Sequence, residues 1–261
     1  MRPRAGAAAA PRRDPRLWGF LLLAGLLALW QVSALYWVSS ANWPPVTDIA
    51  RAMAAGLRSG ELLQVFGSSL YRMLVGFTAG SALGVLLGVL MATSRWVDAA
   101  LGPLVELLRP IPIPAIVPPL ILLLGIDDAM KIFVVAFAAF FPVLVNTVAG
   151  VRSQDRTPLD VARTLQVGRW RTLWRVVLPA SMPYILAGLR VSLALALIVT
   201  VVAEMIAGSA GVGYYLMTMQ YAMRAGDMYA AIFLLAAVGY ALNRSVLAIE
   251  KKVLHWYQRA G

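Results

Sequence analysis

The sequence predicts an all-α integral membrane protein with six transmembrane helices, and three observations carry that prediction. Hydrophobic residues fill 61% of the 261 positions and charged residues only 13%, far from the balance of a soluble domain. The apolar residues gather into six runs, most of them close to the ~20 residues that cross a bilayer. These runs are Leu17 to Val38, Phe66 to Ala92, Leu101 to Gly125, Lys131 to Gly150, Tyr184 to Ala207 and Tyr229 to Ile249. Third, the 23 basic residues, which give a net charge of +11 against 12 carboxylates, are unevenly shared among the connecting segments.

That sharing orients the chain. With the N-terminus inside, the inner segments hold Arg2, Arg4, Arg12, Arg13, Arg16, Arg95, Arg152, Arg156, Arg163, Arg169, Arg171, Arg175, Arg244, Lys251, Lys252 and Arg259. The outer segments hold Arg51, Arg58, Lys131 and Arg224. An excess of this size sets the inner side by the positive-inside rule. Both termini are expected in the cytoplasm. In so apolar a chain, the positive charge belongs to membrane-flanking loops, and no nucleic-acid partner is expected.

Residues 1–16 form an Arg-, Ala- and Pro-rich tail read as disordered. Residues 17–38 are the first span, flanked by Trp18 at one end and Tyr36 and Trp37 at the other, as interfacial aromatic belts would be. Val32-Ser33-Ala34 resembles a signal-peptidase site, but the apolar run is longer than a signal core and further spans follow, so an uncleaved helix is expected. Residues 39–65 are read as an external loop with an amphipathic helix, 66–249 as the transmembrane core, and 250–261 as a cytoplasmic tail.

Within the core, Gly76, Gly80, Gly84 and Gly88 recur every fourth residue and share one helix face. Such ridges let backbones approach closely in lipid, where packing drives association, so helix packing is the first expectation and a sliding surface the second. Arg72, near the outer end of that stripe, is expected to snorkel or to be paired. In Arg109 to Pro119, RPIPIPAIVPP, five prolines including Pro112 and Pro114 remove backbone donors and forbid a regular helix. Non-helical backbone at membrane depth survives where protein buries it or a watery cavity borders it, so a broken helix beside a pathway is expected. Arg109 is then a candidate contact for an anion, with a salt bridge to Glu106 as the alternative. Asn146 and Glu204 are further polar pathway candidates. Glu204 lies so near the outer boundary that a solvated or gate-closing role is expected of it. Gly208 to Gly213, GSAGVG, is read as an external loop. No lysine follows a glycine, so the chain has no phosphate-cradling Walker A motif.

The longest polar interruption is Thr157 to Pro183, TPLDVARTLQVGRWRTLWRVVLPASMP, and residues 151–182 are read as a cytoplasmic loop. Thr157 is expected to cap a helix that Pro158 and Asp160 begin, with Val161, Ala162 and Leu165 as an apolar ridge. Gly168 is expected to break it. A second amphipathic segment then places Trp170, Leu173, Trp174 and Val177 on one face, ending at Leu178-Pro179. Two short helices at a membrane surface make a device for docking another protein.

Asp160-Val161-Ala162, with Val176, Leu178 and Pro179 further on, resembles the EAA loop of ATP-binding-cassette (ABC) importer permeases. The family pattern runs Glu-Ala-Ala, three residues, Gly, nine residues, Ile-x-Leu-Pro. This chain departs from it at the glycine position, which holds Gln166, with Gly168 two residues late. From Trp43 onward, including RPIPIPAIVPPLILLLGIDDAMKI and VVAEMIAGSAGVGY, the chain is similar to the nitrate, sulfonate and taurine branch of that family. The resemblance implies a type I importer permease in a bacterial inner membrane, working as a pair, with a homodimer favoured. It further implies a separate cytoplasmic ATPase dimer that binds ATP and Mg, and an extracytoplasmic solute-binding protein. Asp160, Val161, Ala162, Thr164, Leu165, Gln166, Val167 and Gly168 would couple the permease to that ATPase. The cargo implied is a small anion such as a sulfonate, taurine, nitrate or bicarbonate, and permeases for pyrimidines and aromatic acids share the branch. No cofactor, metal or catalytic residue is expected in this chain, which has no Cys and a lone His255. An ion-coupled secondary transporter or channel would share the hydropathy but should carry coupling residues or repeats at mid-span. An intramembrane enzyme would need a nucleophile and base that are not recognisable.

Overall fold

A computed structural model describes residues 15–38 and 40–255; the expected N-terminal tail falls almost entirely outside them, as do residues 256–261 of the C-terminal tail. The first helix, α1 (Pro15–Val32), runs on through a π-helical turn, Ser33–Trp37, and holds the apolar window Trp18–Trp37. The Val32-Ser33-Ala34 motif lies inside this continuous helix, with the Ser33 hydroxyl accepting a bond from Trp43 Nε1 at 3.0 Å. A short helix, α2 (Val46–Arg58), follows. The long α3 (Glu61–Thr93) then leads to α4 (Arg95–Leu108) and α5 (Ile113–Leu124), which are bent by 101° across a break at Arg109–Pro112. This pair is the sixth candidate span. The expected break is present, and its cause is the run of prolines. After it come α6 (Asp128–Arg152), α7 (Arg156–Thr164) and α8 (Arg169–Thr172). A π turn, Leu173–Val177, joins α8 to α9 (Leu178–Ala207), and α10 (Val212–Tyr221) and α11 (Ala225–Val253) complete the chain.

The expected stop at Leu178-Pro179 does not occur: Arg169–Ala207 is one apolar helix. Pro179 cannot donate to Arg175, and the wider π turn immediately before it absorbs the mismatch without ending the helix.

The core is the trio α3, α6 and α9. Met73, Val134, Val135, Leu193 and Ala196 are buried where these helices meet. The glycine face of α3 seats directly on α6. A Cβ at Gly76 would lie 2.7 Å from the Ile132 carbonyl oxygen, at Gly80 2.2 Å from that of Ala136, and at Gly84 2.9 Å from that of Phe140. At Gly88 it would meet Thr147 Cβ at 2.8 Å. The ridge therefore packs helices within one chain. The apolar windows of α1 and α11, by contrast, are wholly unburied. These two meet through Trp30, which stacks on Trp43 at 4.6 Å and meets the Tyr229 ring edge-on at 5.4 Å.

Candidate functional site

Three regions gather the polar residues of interest, one at the end of the bundle that carries α7 and α8, one at the α4–α5 break and one at the opposite end. At the α7 end, Asp155 rather than Thr157 is the N-cap. Its Oδ1 accepts from the Thr157 backbone N–H at 3.2 Å, and Thr157 Oγ1 donates to it at 3.1 Å. Asp160 lies a full turn into the helix, where its carboxylate accepts from Arg163 at 3.0 Å. The expected ridge is split. Ala162 is buried, whereas Val161 and Leu165 are 52% and 70% exposed. With Thr157, Asp160 and Thr164 they line a shallow hollow open to solvent.

The end of α7 explains the displaced glycine. Gln166 has φ +52°, a left-handed conformation, while Gly168 is extended at φ −58° and ψ 146° and caps α8. Gln166 N–H donates to the Arg163 carbonyl and Val167 N–H to the Ala162 carbonyl, each at 2.9 Å, the paired closure of a Schellman turn. The break thus falls on Gln166 and not on Gly168. A glutamine stands where the backbone asks for glycine, and a side chain there costs about 1 kcal/mol. Gln166→Gly is expected to leave transport near wild type and the loop no less stable. Gln166→Val, β-branched at positive φ, is expected to loosen α7; limited proteolysis of the two variants checks both.

Beyond α7, Trp170 and Trp174 are 71% and 56% exposed and meet edge to face at 5.7 Å, while Val177 is buried. The second amphipathic segment is therefore an exposed aromatic start on a buried continuation.

Inside the helices, Arg109 and Asn146 line one cleft of about 380 Å³ between the α4–α5 break, α6 and α9. Its other walls include Ile113, Phe137, Phe141, Val191 and Leu195. Asn146 donates to the Pro142 carbonyl at 2.8 Å and is held close to α9, since a Cβ at Gly188 would lie 2.9 Å from Asn146 Cβ. The expected alternative for Arg109 is not found: among the described residues no carboxylate, Glu106 included, forms an ion pair with it. Pro112 caps α5 and Pro114 lies in its first turn, so both shape the break; neither is among the residues lining the cleft.

Glu204 is elsewhere, and it is not solvated as expected. It is 1% exposed, at the end of the bundle opposite α7. Its carboxylate accepts from Ser69 Oγ at 2.8 Å, Arg72 Nη1 at 2.8 Å and the Gly213 N–H at 3.0 Å. Arg72 Nε also donates to Asp128 at 2.6 Å, and Lys131 Nζ stands 4.0 Å from the same carboxylate. The Gly208–Gly213 loop folds over this group. Gly211 adopts φ +104°, and a Cβ there would fall 2.2 Å from Glu204 Oε1. Glu204 therefore ties α3, α9 and α10 together, and through Arg72 also α6, and it is not among the residues lining the cleft. Ser69, Asp128 and Lys131 were not expected at this centre. Arg72 was the available signal, because a cation on the buried glycine face needs a counter-ion.

A bundle of apolar helices with an exposed helical loop at one end and a largely apolar cleft at a proline break is the architecture of a multi-pass membrane protein. Among the described residues, no group of acidic or histidine side chains could hold a metal ion. The chain belongs to the family of binding-protein-dependent transport system inner membrane components, whose sequence pattern matches residues 82–255. It is a multi-pass permease subunit of an ABC importer.

It is 37% identical to the putative aliphatic sulfonates transport permease protein SsuC of Bacillus subtilis over 239 residues, covering 91% of this chain and 87% of that one. It is 30% identical to the taurine transport system permease protein TauC of Escherichia coli, covering 90% and 88%. Identity to the nitrate import permease protein NrtB of a Synechocystis strain is also 30%, covering 76% and 72%. The fold resembles an inward-facing structure of the methionine ABC transporter MetNI with TM-score 0.66 at 16% identity, covering 74% of this chain and 95% of that one.

Proposed function

We propose that this subunit imports a small anion such as a sulfonate, taurine, nitrate or bicarbonate, with the exposed face of α7 as its point of coupling to an ATPase pair. The observation that carries the coupling assignment is the combination of Val161, Leu165, Asp160 and Thr164 on a surface that none of the other described residues covers. The residues Asp160, Val161, Ala162, Thr164, Leu165, Gln166, Val167 and Gly168 then divide their work. The first face meets the ATPase, while Ala162, Gln166 and Val167 close the helix from behind. ATP and Mg are held by that partner, and a solute-binding protein delivers cargo at the opposite end. The anion class draws support from the relatives named above for sulfonates, taurine and nitrate.

The basic segments support a bacterial inner-membrane location with both termini and the α7 loop in the cytoplasm. A second copy of the chain completes the pathway. Support for that pairing comes from the outward apolar surface of α5 and α9, where Leu122 and Leu123 are 88% and 78% exposed and Val191 and Ile198 more than half exposed. Lipid covers the outer faces of α1 and α11.

Asp160→Lys reverses the charge on the exposed face of α7 and breaks the pair with Arg163. It is expected to abolish most uptake and to reduce co-purification of the ATPase, while the permease folds as before, because Asp160 is on the surface. Uptake in proteoliposomes and pull-down of the ATPase measure this. Full uptake by an intact complex would overturn the coupling assignment.

A further inference from the structure

We infer that the cleft at the α4–α5 break is a binding site for a small organic anion within the permease itself, with Arg109 receiving the charged group and the α6 and α9 walls receiving the apolar body. This rests on the importer reading above and deepens it, since it assigns cargo recognition to this chain and not only to a delivery protein.

Depth is the first argument. At a rise of ~1.5 Å per residue, Phe137 lies roughly 14 Å along α6 from its start at Asp128, and Asn146 roughly 27 Å. On α9, Leu195 and Val191 lie roughly 18 and 24 Å from its end at Ala207. Both helices thus place the cleft across the middle of the bundle. A cation at such depth is expensive in a membrane and is normally paired or functional.

Among the described residues, the Arg109 guanidinium has no carboxylate partner and no hydrogen-bond acceptor, although Arg72, Arg152 and Arg190 each have an acidic partner. It is exposed, and the space it borders is the cleft. The same break starts α5, so the positive end of that helix adds to the field around Arg109 without being needed as a site.

Shape supplies the ligand class. About 380 Å³ is room for a small molecule, and Ile113, Phe137, Phe141, Val191 and Leu195 make most of the lining apolar. A site with one forked cation and hydrocarbon walls favours a planar or tetrahedral oxyanion on a short alkyl or aryl body, such as a sulfonate or carboxylate. A bare inorganic ion would leave the walls unused.

The test uses the full chain co-purified with its ATPase in lipid nanodiscs, without binding protein. Titrated with pentane-1-sulfonate, the wild-type complex is expected to show saturable binding that pentan-1-ol does not displace. Arg109→Gln should weaken it by roughly tenfold or more, the scale of one charge-assisted bond, and Arg109→Lys by less. Arg109 lies outside the α7 loop, so both variants should co-purify with the ATPase, which checks that each complex is assembled. Equal affinity in wild type and Arg109→Gln, or no saturable binding in wild type, would overturn the site while leaving the importer assignment standing. A complex that retains no ATPase would instead overturn the coupling reading.

Discussion

Glu204→Gln is expected to lower stability by about 3 kcal/mol, the low end of the range for removing one member of a buried ion pair. The low end applies because Arg72 keeps a second carboxylate, Asp128, at 2.6 Å. The substitution preserves size and removes only charge. It leaves the Arg72 guanidinium, itself 5% exposed, short of half its compensation. A glutamine amide would also offer a donor where Ser69, Arg72 and Gly213 all present donors. The loop Gly208–Gly213, closed over the carboxylate, should become accessible to protease first. The double replacement Arg72→Met with Glu204→Leu is expected to regain part of the loss, since apolar residues of similar volume replace a buried pair at little cost. Recovery stays partial because Gly213 N–H is left without its acceptor. Unfolding titrations in mixed micelles of wild type, Arg72→Met, Glu204→Leu and the double replacement give the coupling energy directly, with Glu204→Gln measured beside them. A Glu204→Gln protein within about 0.5 kcal/mol of wild type, the scatter of ordinary surface substitutions, would mean that the carboxylate is solvated after all.

Glu204 also shows where sequence reasoning stops. Hydropathy places a residue along the membrane normal, so Glu204 reads as near a boundary and therefore wet. What buries it is a return of the chain: three glycines in GSAGVG let the loop pass against the carboxylate, with a Gly211 Cβ only 2.2 Å from Glu204 Oε1. That closure is a tertiary fact, and the glycine-rich string alone does not say what it wraps. The proline run lies at the other extreme. Missing donors and steric clash are local, so the break between α4 and α5 was legible from RPIPIP alone. The turn after α7 falls between. The need for a left-handed residue was legible through the resemblance, but Gly168 drew attention because glycine is the usual solution, whereas the chain uses Gln166. Likewise Pro179 reads as a stop by local rules. Only the preceding π turn, invisible in the pattern, lets Arg169–Ala207 continue. The six apolar runs, by contrast, required no tertiary information, because each span must satisfy its own backbone within lipid.

Gly80→Leu is expected to eliminate the folded permease, and even Gly80→Ala should cost roughly 1–3 kcal/mol, the scale of overpacking in a close-packed core. The reason is what the new atom meets. A Cβ at Gly80 would stand 2.2 Å from the Ala136 carbonyl oxygen and 2.9 Å from its carbonyl carbon, all backbone of α6. A side chain can turn aside, but a helix backbone cannot do so without moving whole. With Gly76, Gly84 and Gly88 seated on the same helix, α6 can withdraw only by opening the contact along most of its length. Gly67 provides the internal control. It lies in the same helix, but a Cβ there meets nothing within 4 Å. Gly67→Ala is therefore expected to be neutral or to stabilise by about 0.5–1 kcal/mol, as alanine does when it replaces an unconstrained helical glycine. Monodispersity after extraction and the unfolding midpoint of the two alanine variants make the comparison. If Gly80→Ala behaves as Gly67→Ala does, α3 and α6 do not pack at the observed distance. The ridge would then face a surface able to yield, as the sliding alternative requires.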